Sequence, residues 1–345
     1  MITNSVKISN EEQLEEYLSR PTKETIEVLR KLDGDIIFLG VAGKIGPSLA
    51  GMAKRACDEA GVSKRIFGVS RFGNAKEKRQ IENLGIETIQ GDLLDSNFIS
   101  GLPKVKNVFF LAGMKFGSLE NLSLTWAVNS FVPAMVAEHF KESRIVAFST
   151  GCVYPLVTIN SGGSLETDNP EPVGEYAQSC LGRERMFEFG STKYKTPVVL
   201  IRLNYAVELR YGVLVDIAWK VKNNLPVDLS MGYFNAIWQG DANNFVLRSL
   251  LQTQSPAKIL NITGEETISV REVALKFGEL FNTKVDFIGH EAATALLSNS
   301  GQAIRLYGKP KVTTSEIILW IAEWLKEEKK LLGKPTHFEV RDGKY

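Results

Sequence analysis

Hydrophobic positions along the chain fall into two successive rhythms. From Asp35 to Arg202, short apolar runs at 35–39, 65–69, 87–90, 107–111, 144–149 and 198–202 alternate with amphipathic stretches of helical length. Strands alternating with helices predict an α/β fold built on a doubly wound parallel sheet of the Rossmann type, with helices on both faces. Ahead of this pattern, Ser9 followed by Glu12 reads as a capping box, and Leu14, Tyr17 and Leu18 form a helical stripe that Arg20-Pro21 ends. Thr22 to Leu32 reads as a second helix, so residues 1–34 are expected to form an N-terminal helical arm before a sheet domain at 35–205. Beyond 205 the rhythm loosens. Helices are expected at 213–223, 241–251 and 270–281, and a strand at 258–262; a stripe of Ile317, Ile321, Trp324 and Leu325 closes the chain. Residues 206–345 therefore read as a smaller mixed lobe, with strands that can return to the core.

One turn in this pattern carries chemistry. Ile36-Ile37-Phe38-Leu39 runs into Gly40, Gly43, Lys44, Ile45 and Gly46, and Pro47 then opens a helix that Gly61 can close. A strand, a GxxGxxG turn and a helix, in that order, suit a dinucleotide pyrophosphate. Its oxygens need backbone N–H groups at a helix N-terminus and no side chain in the way. The same three glycines also serve a tight turn and a close helix contact, so the motif alone is weak. At the end of the second strand, where NAD binding calls for a carboxylate on the ribose hydroxyls, Ser70 and Arg71 stand instead. A guanidinium can pair bidentately with a 2′-phosphate that an acid would repel, so the expected cofactor is NADP in preference to NAD.

Composition narrows the picture by exclusion. The chain has 345 residues, 44% of them hydrophobic, enough for a substantial core. Its 41 basic and 40 acidic residues leave a net charge of +1, so no overall field draws in nucleic acid or an anionic membrane. The longest apolar run, Val108 to Met114, is far short of the roughly 18 residues that span a bilayer. A cytoplasmic protein is expected, since the first 20 residues are polar where a signal peptide would be apolar. The three Cys and three His are scattered, without CxxC or HExxH, which argues against a disulfide scaffold and a metal site.

Together with further segments, these motifs resemble the extended short-chain dehydrogenase/reductases of the NAD-dependent epimerase/dehydratase group, from about Ile36 to Leu325. Besides the glycine loop, the segments are Gly91-Asp92-Leu93, Phe110-Leu111-Ala112-Gly113, Met114-Lys115, Asn129, Phe148-Ser149-Thr150 with Val153-Tyr154, Arg202-Leu203-Asn204-Tyr205 and Trp238-Gln239-Gly240-Asp241. By that resemblance, Asp92 and Leu93 contact the adenine, Leu111, Ala112 and Gly113 lie under the cofactor, and Lys115, Asn129 and Ser149 approach it. Thr150 takes the catalytic Ser/Thr position, and Tyr176 is the general acid/base that also touches the cofactor. The resemblance implies hydride transfer between a hydroxyl carbon of a sugar or sugar derivative and nicotinamide. It also implies a cleft lined from residue 205 on, with Asn204, Trp238, Asp216 and Arg305 as candidates, and a homodimer packed through the helices of Asn129 and Tyr176.

The pattern breaks at one residue. The group's Tyr-x-x-x-Lys pair reads Tyr176-Ala177-Gln178-Ser179-Cys180 here. A phenol with pKa near 10 is only about 0.1% ionised at pH 7, so the missing ammonium matters. Three readings follow. Arg183 or Lys115 replaces the cation; the nicotinamide charge and Thr150 suffice; or proton transfer is lost and the chain binds nucleotide as a sensor or scaffold. Reduction of a non-sugar carbonyl is a further alternative. Tyr154 and His139 read as packing residues as readily as ligands, and Arg202 as structural.

Overall fold

The computed structural model describes residues 7–115 and 120–344. Seven strands form the central sheet: β1 (Ile36–Leu39), β2 (Ile66–Ser70), β3 (Glu87–Gln90), β4 (Asn107–Phe110), β5 (Arg144–Thr150), β6 (Val198–Leu203) and β7 (Lys258–Ile262). They lie in the order β7-β6-β5-β4-β1-β2-β3, and every pairing is parallel. β1 and β4 are buried at every position, as expected where helices cover both faces. The chain leaves β1 toward β2 on one side and later returns as β4 on the other. That reversal opens a crevice beyond the carboxyl ends of β1 and β4, the place where open α/β sheets bind ligands.

Among the described residues, thirteen α-helices accompany the sheet: α1 (Glu11–Leu18), α2 (Lys23–Lys31), α3 (Gly46–Ala60), α4 (Ala75–Glu82), α5 (Ser96–Ser100), α6 (Leu122–Trp126), α7 (Val132–His139), α8 (Gly174–Tyr194), α9 (Val213–Lys222), α10 (Gln239–Arg248), α11 (Val270–Phe281), α12 (Gly301–Tyr307) and α13 (Thr314–Lys326). On one face, Leu49 and Met52 of α3 and Phe245 of α10 pack against Phe38, Phe109 and Val146 of the sheet. On the other, Val136 of α7 and Phe187 of α8 cover Leu39, Phe110 and Ala147. A third core gathers α9, α11 and α13 around Phe234, Phe277 and Trp324, and Leu14 and Leu18 of α1 join it. α2 instead lies on the sheet's helical layer through Val28 and Leu29, and Asn244 Oδ1 of α10 accepts from Thr22 N and Thr25 Oγ1.

The expected capping box is shifted by one residue. Asn10, not Ser9, is the N-cap: its Oδ1 accepts from Gln13 N, and Gln13 Oε1 accepts from Ser9 N. Asn caps at least as well as Ser, and the shift still turns Leu14 and Leu18 inward. The second expected lobe helix starts two residues early, at Gln239, and ends at Arg248 in a 3₁₀ turn. The strand at 258–262 joins the main sheet beside β6.

Candidate active site

The glycine turn at the end of β1 is fixed by contact. Gly40 has φ +93°, and a Cβ there would lie 2.7 Å from Ala112 N; one on Gly46 would lie 2.1 Å from Val41 O. Neither position can carry a side chain without breaking the turn. Gly43 between them is exposed. α3 starts directly behind, with Pro47 in its first turn, no acidic residue there, and no side chain capping it from Ile45. An uncapped helix N-terminus behind a close-packed glycine turn is a fitting cradle for a diphosphate.

Lys44 leaves this turn and crosses to the opposite wall. Its Nζ sits 3.2 Å from the centroid of the Tyr211 ring and 3.5 Å from Ala206 O. Burial pushes its pKa down to about 7, against the opposing pull of Glu208, while the charges of Lys115 and Lys334 push the same way as burial. A lysine whose folded pKa lies below its unfolded value binds fewer protons when folded across the window from about 7 to 10.5. Its penalty is complete below that window and is relieved as pH rises through it. The Lys44 contribution to Tm is therefore expected to rise between pH 7 and 9. Melting curves of wild type and Lys44→Met read the difference, and parallel curves would contradict this placement of the ammonium.

Beyond β4, Leu111 and Ala112 pack under the glycine turn, and Gly113 leaves space that a guanidinium fills. A Cβ on Gly113 would lie 2.5 Å from Arg183 Nη2. Arg183 stands two turns beyond Tyr176 on α8, yet helical side chains lean toward the N-terminus, which brings its head back beneath the site. Its Nη2 donates to Asn129 Oδ1 at 2.7 Å and its Nη1 to Phe148 O at 2.9 Å. The residue is buried, its Nε has no hydrogen-bond partner, and among the described residues no carboxylate pairs with it. Asn129 sits in a π turn (Ala127–Phe131) and gives its whole amide to protein groups: Oδ1 also accepts from Met114 N, while Nδ2 donates to Met114 O and Ser179 Oγ. It acts on the site by holding the end of β4 against α8.

Tyr176 and Cys180 face one another a turn apart on α8, joined by a side-chain hydrogen bond. Cys180 packs with Val153 and Tyr154 in a small apolar cluster at the point where the resemblance would place an ammonium. Burial raises the Tyr176 phenol well above 10 and the Cys180 thiol to about 11; in both, Arg183 pulls the other way. Thr150 ends β5, and its Oγ1 accepts from Cys152 N at 3.1 Å, so its own hydrogen is available to donate elsewhere. Ser149 donates to Glu184 Oε1, and Glu184 is clasped by Arg202 at 3.0 and 2.7 Å. That pair, 0% and 1% exposed, ties α8 to the sheet beneath Tyr176.

Lys44, Ile45, Lys115, Ser149, Thr150, Tyr176 and Asn204 all line one cavity of about 150 Å³. Asn204 Nδ2 donates to Asn235 Oδ1 at its back wall. Trp238, by contrast, is 2% exposed and packs edge-on against Trp320 at 5.4 Å, so it is a core residue and not a liner. Asp216 faces a second cavity, and Arg305 is exposed on α12 outside both. Arg71 is exposed at the end of β2 with a guanidinium nitrogen 4.0 Å from Asp92. Ser70 is half-buried beside it, and Leu93 packs at the sheet edge. Tyr154 donates to Asn261 and His139 contacts Leu102 O, both as packing residues. Sequence reasoning missed Cys152, Tyr205, Tyr211 and Gly212 as liners. Gly212, whose φ of +129° opens α9, was the readable signal there.

The sequence matches no protein-family model and no curated protein. The fold, however, is shared with solved structures of sugar-nucleotide epimerases and related proteins. Pal from Bacillus thuringiensis superposes with a TM-score of 0.70 at 21% identity, over 86% of this chain and 100% of that one. UDP-glucuronic acid 4-epimerase from Bacillus cereus, solved with NAD, gives 0.69 at 17% identity, over 86% and 100%. UDP-glucose 4-epimerase from Thermus thermophilus, also solved with NAD, gives 0.66 at 19% identity, over 85% and 99%. No helix among the described residues is long and apolar enough to cross a membrane.

Proposed function

We propose that the chain is a nicotinamide-dinucleotide-dependent enzyme of the epimerase/dehydratase kind, acting on a hydroxyl or carbonyl of a sugar-derived compound. The observation that carries this reading is a coincidence of place. The uncapped N-terminus of α3, the glycine turn, Thr150 and Tyr176 all meet at the crevice where the sheet order reverses. Gly40, Gly43, Lys44, Ile45 and Gly46 would hold the diphosphate, and Leu111, Ala112 and Gly113 would form the floor under the rest of the cofactor. Ser70 and Arg71 favour NADP, because an exposed guanidinium can reach a 2′-phosphate; Asp92 beside it is the group that would instead favour NAD. The bound nicotinamide would supply hydride exchange with the substrate carbon.

The chain's own residues supply the rest. Thr150 directs its hydroxyl hydrogen at the substrate oxygen, and Tyr176 moves the proton at that oxygen. Arg183 takes the electrostatic place of the absent lysine from beneath, held by Asn129 and Phe148 O. A phenol raised above 10 by burial holds its proton at neutral pH, which favours Tyr176 as proton donor. That supports a second reading, reduction of a carbonyl, over a one-way oxidation.

The test is absorbance at 340 nm with purified chain, NAD and NADP in both redox states, and a panel of sugars, sugar acids, hydroxy and oxo acids and nucleotide sugars. Turnover that falls about tenfold or more in Arg183→Met supports the replacement cation. Tight dinucleotide binding with no turnover on any member identifies a binding protein instead. A homodimer through α7 and α8 is part of the same proposal, since Phe131 just before α7 and Phe189 on α8 are 58% and 61% exposed while Phe140 is buried. Sedimentation velocity reads it directly.

A further inference from the structure

After α13 the chain does not leave the fold; it turns back across the open side of the cleft. Leu332 N donates to Arg210 O at 3.1 Å. Thr336 donates from N and Oγ1 to Asp216 Oδ2 at 2.7 and 2.5 Å, and Lys115 Nζ donates to Thr336 O at 3.3 Å. Phe338 is 1% exposed and packs on Phe234. Arg341 donates to Ser230 O, Thr294 O and Thr294 Oγ1. Gly343 lies so close to Gly174 that a Cβ on Gly174 would be 2.4 Å from its carbonyl oxygen. Gly174 is the first residue of α8, two positions before Tyr176. The tail therefore runs from α9 to the start of the helix that carries the reactive phenol, and it is anchored at both ends and in the middle.

This path divides the cleft. Between α9 and the tail lies an outer cavity of about 400 Å³, walled by Val215, Trp219, Leu331 and Pro335. The inner cavity at Tyr176 and Thr150 measures about 150 Å³. Thr336, itself 1% exposed, stands between them, bonded to Lys115 of the inner cavity and Asp216 of the outer one. The inner volume, part of which the nicotinamide end of a bound dinucleotide would take, is well under the roughly 300–1,000 Å³ of clefts that hold drug-sized ligands. Among the described residues lining it, the charged ones are Lys44 and Lys115; no carboxylate lines it.

We propose that the C-terminal tail, residues 327–344, is a fixed wall of the reaction chamber, and that the chamber admits one small anion, a hydroxy or oxo acid no larger than a single sugar ring, in place of a nucleotide sugar. The proposal rests on the reading of Tyr176 as the reacting group. Size comes from the tail, through Thr336 and the burial of Phe338; charge preference comes from Lys115, which faces the chamber while holding the tail. A nucleotide sugar would have to displace Thr336 from Asp216 and open the wall along its whole anchored length.

The experiment uses the full chain saturated with whichever dinucleotide binds. Isothermal titration is run with a panel of hydroxy acids from lactate to gluconate and glucuronate, with glucose as the neutral control and UDP-glucuronate as the large one. At least one acid is expected to bind, with glucose and UDP-glucuronate giving no heat. Lys115→Gln is expected to weaken that acid about tenfold or more, and Phe338→Ala, where it folds, to admit UDP-glucuronate. Binding of UDP-glucuronate to the wild-type chain overturns the proposal, as does a panel with no acid that binds. UDP-glucuronate turnover that is lost in Tyr176→Phe would sink the tail argument alone. A chain that binds neither dinucleotide would sink the functional reading beneath it.

Discussion

Tyr176→Phe is expected to lower turnover by about 10²–10⁴-fold, the usual worth of a positioned proton donor. The phenol lines the cavity with Thr150, where the proposed reading gives it the proton of the reacting oxygen. Its neighbours make the expectation specific. With Cys180 and Val153 around it in place of an ammonium, the ring packs unchanged in the phenylalanine variant, so the loss reads chemistry and not folding. Steady-state rates on the best substrate of the panel, with melting temperature as the control for folding, measure it. Activity within about tenfold of wild type would show that the proton travels by another route.

The largest effect on stability is expected at Glu184. Glu184→Ala leaves the Arg202 guanidinium, 1% exposed, without its carboxylate, and Ser149 loses its acceptor as well. Removing one partner of a buried pair costs about 3–5 kcal/mol because an uncompensated charge stays behind. In a chain of this size that lowers Tm by roughly 4–7 °C. Arg202→Met should cost a comparable amount, and the double replacement by Met at both positions less than the two single losses combined, since neither charge is then left buried alone. Thermal melts of the three variants decide it. Single losses below about 1 kcal/mol would mean that water reaches the pair.

Much of the fold was legible because parallel strands buried on both faces are written as unbroken apolar runs. β3 and β7 have the expected bounds, and the other strands shift by a residue at their ends. The glycine turn was legible for a related reason: three glycines between a strand and a Pro-started helix leave few conformations. Other features are invisible to periodicity. Trp238 looked like a liner but is claimed by Trp320, a partner 82 positions away that no local pattern links to it. Arg183 was readable as a stand-in cation, but its place under the site is set by the backward lean of its side chain and the open side of Gly113, which periodicity does not show. The tail after α13 has no hydrophobic rhythm at all. Its place is set by single anchors, Thr336, Phe338 and Arg341, each meeting a different element.

Calorimetric titration of the purified chain with NAD and with NADP, beside Gly46→Ala, reads whether this crevice binds a nicotinamide dinucleotide through the glycine turn. One dinucleotide is expected to bind per chain, NADP the tighter, with no binding by the variant, whose added Cβ would stand 2.1 Å from Val41 O and force the turn open. Absence of heat with both dinucleotides, or equal binding by Gly46→Ala, would contradict this expectation.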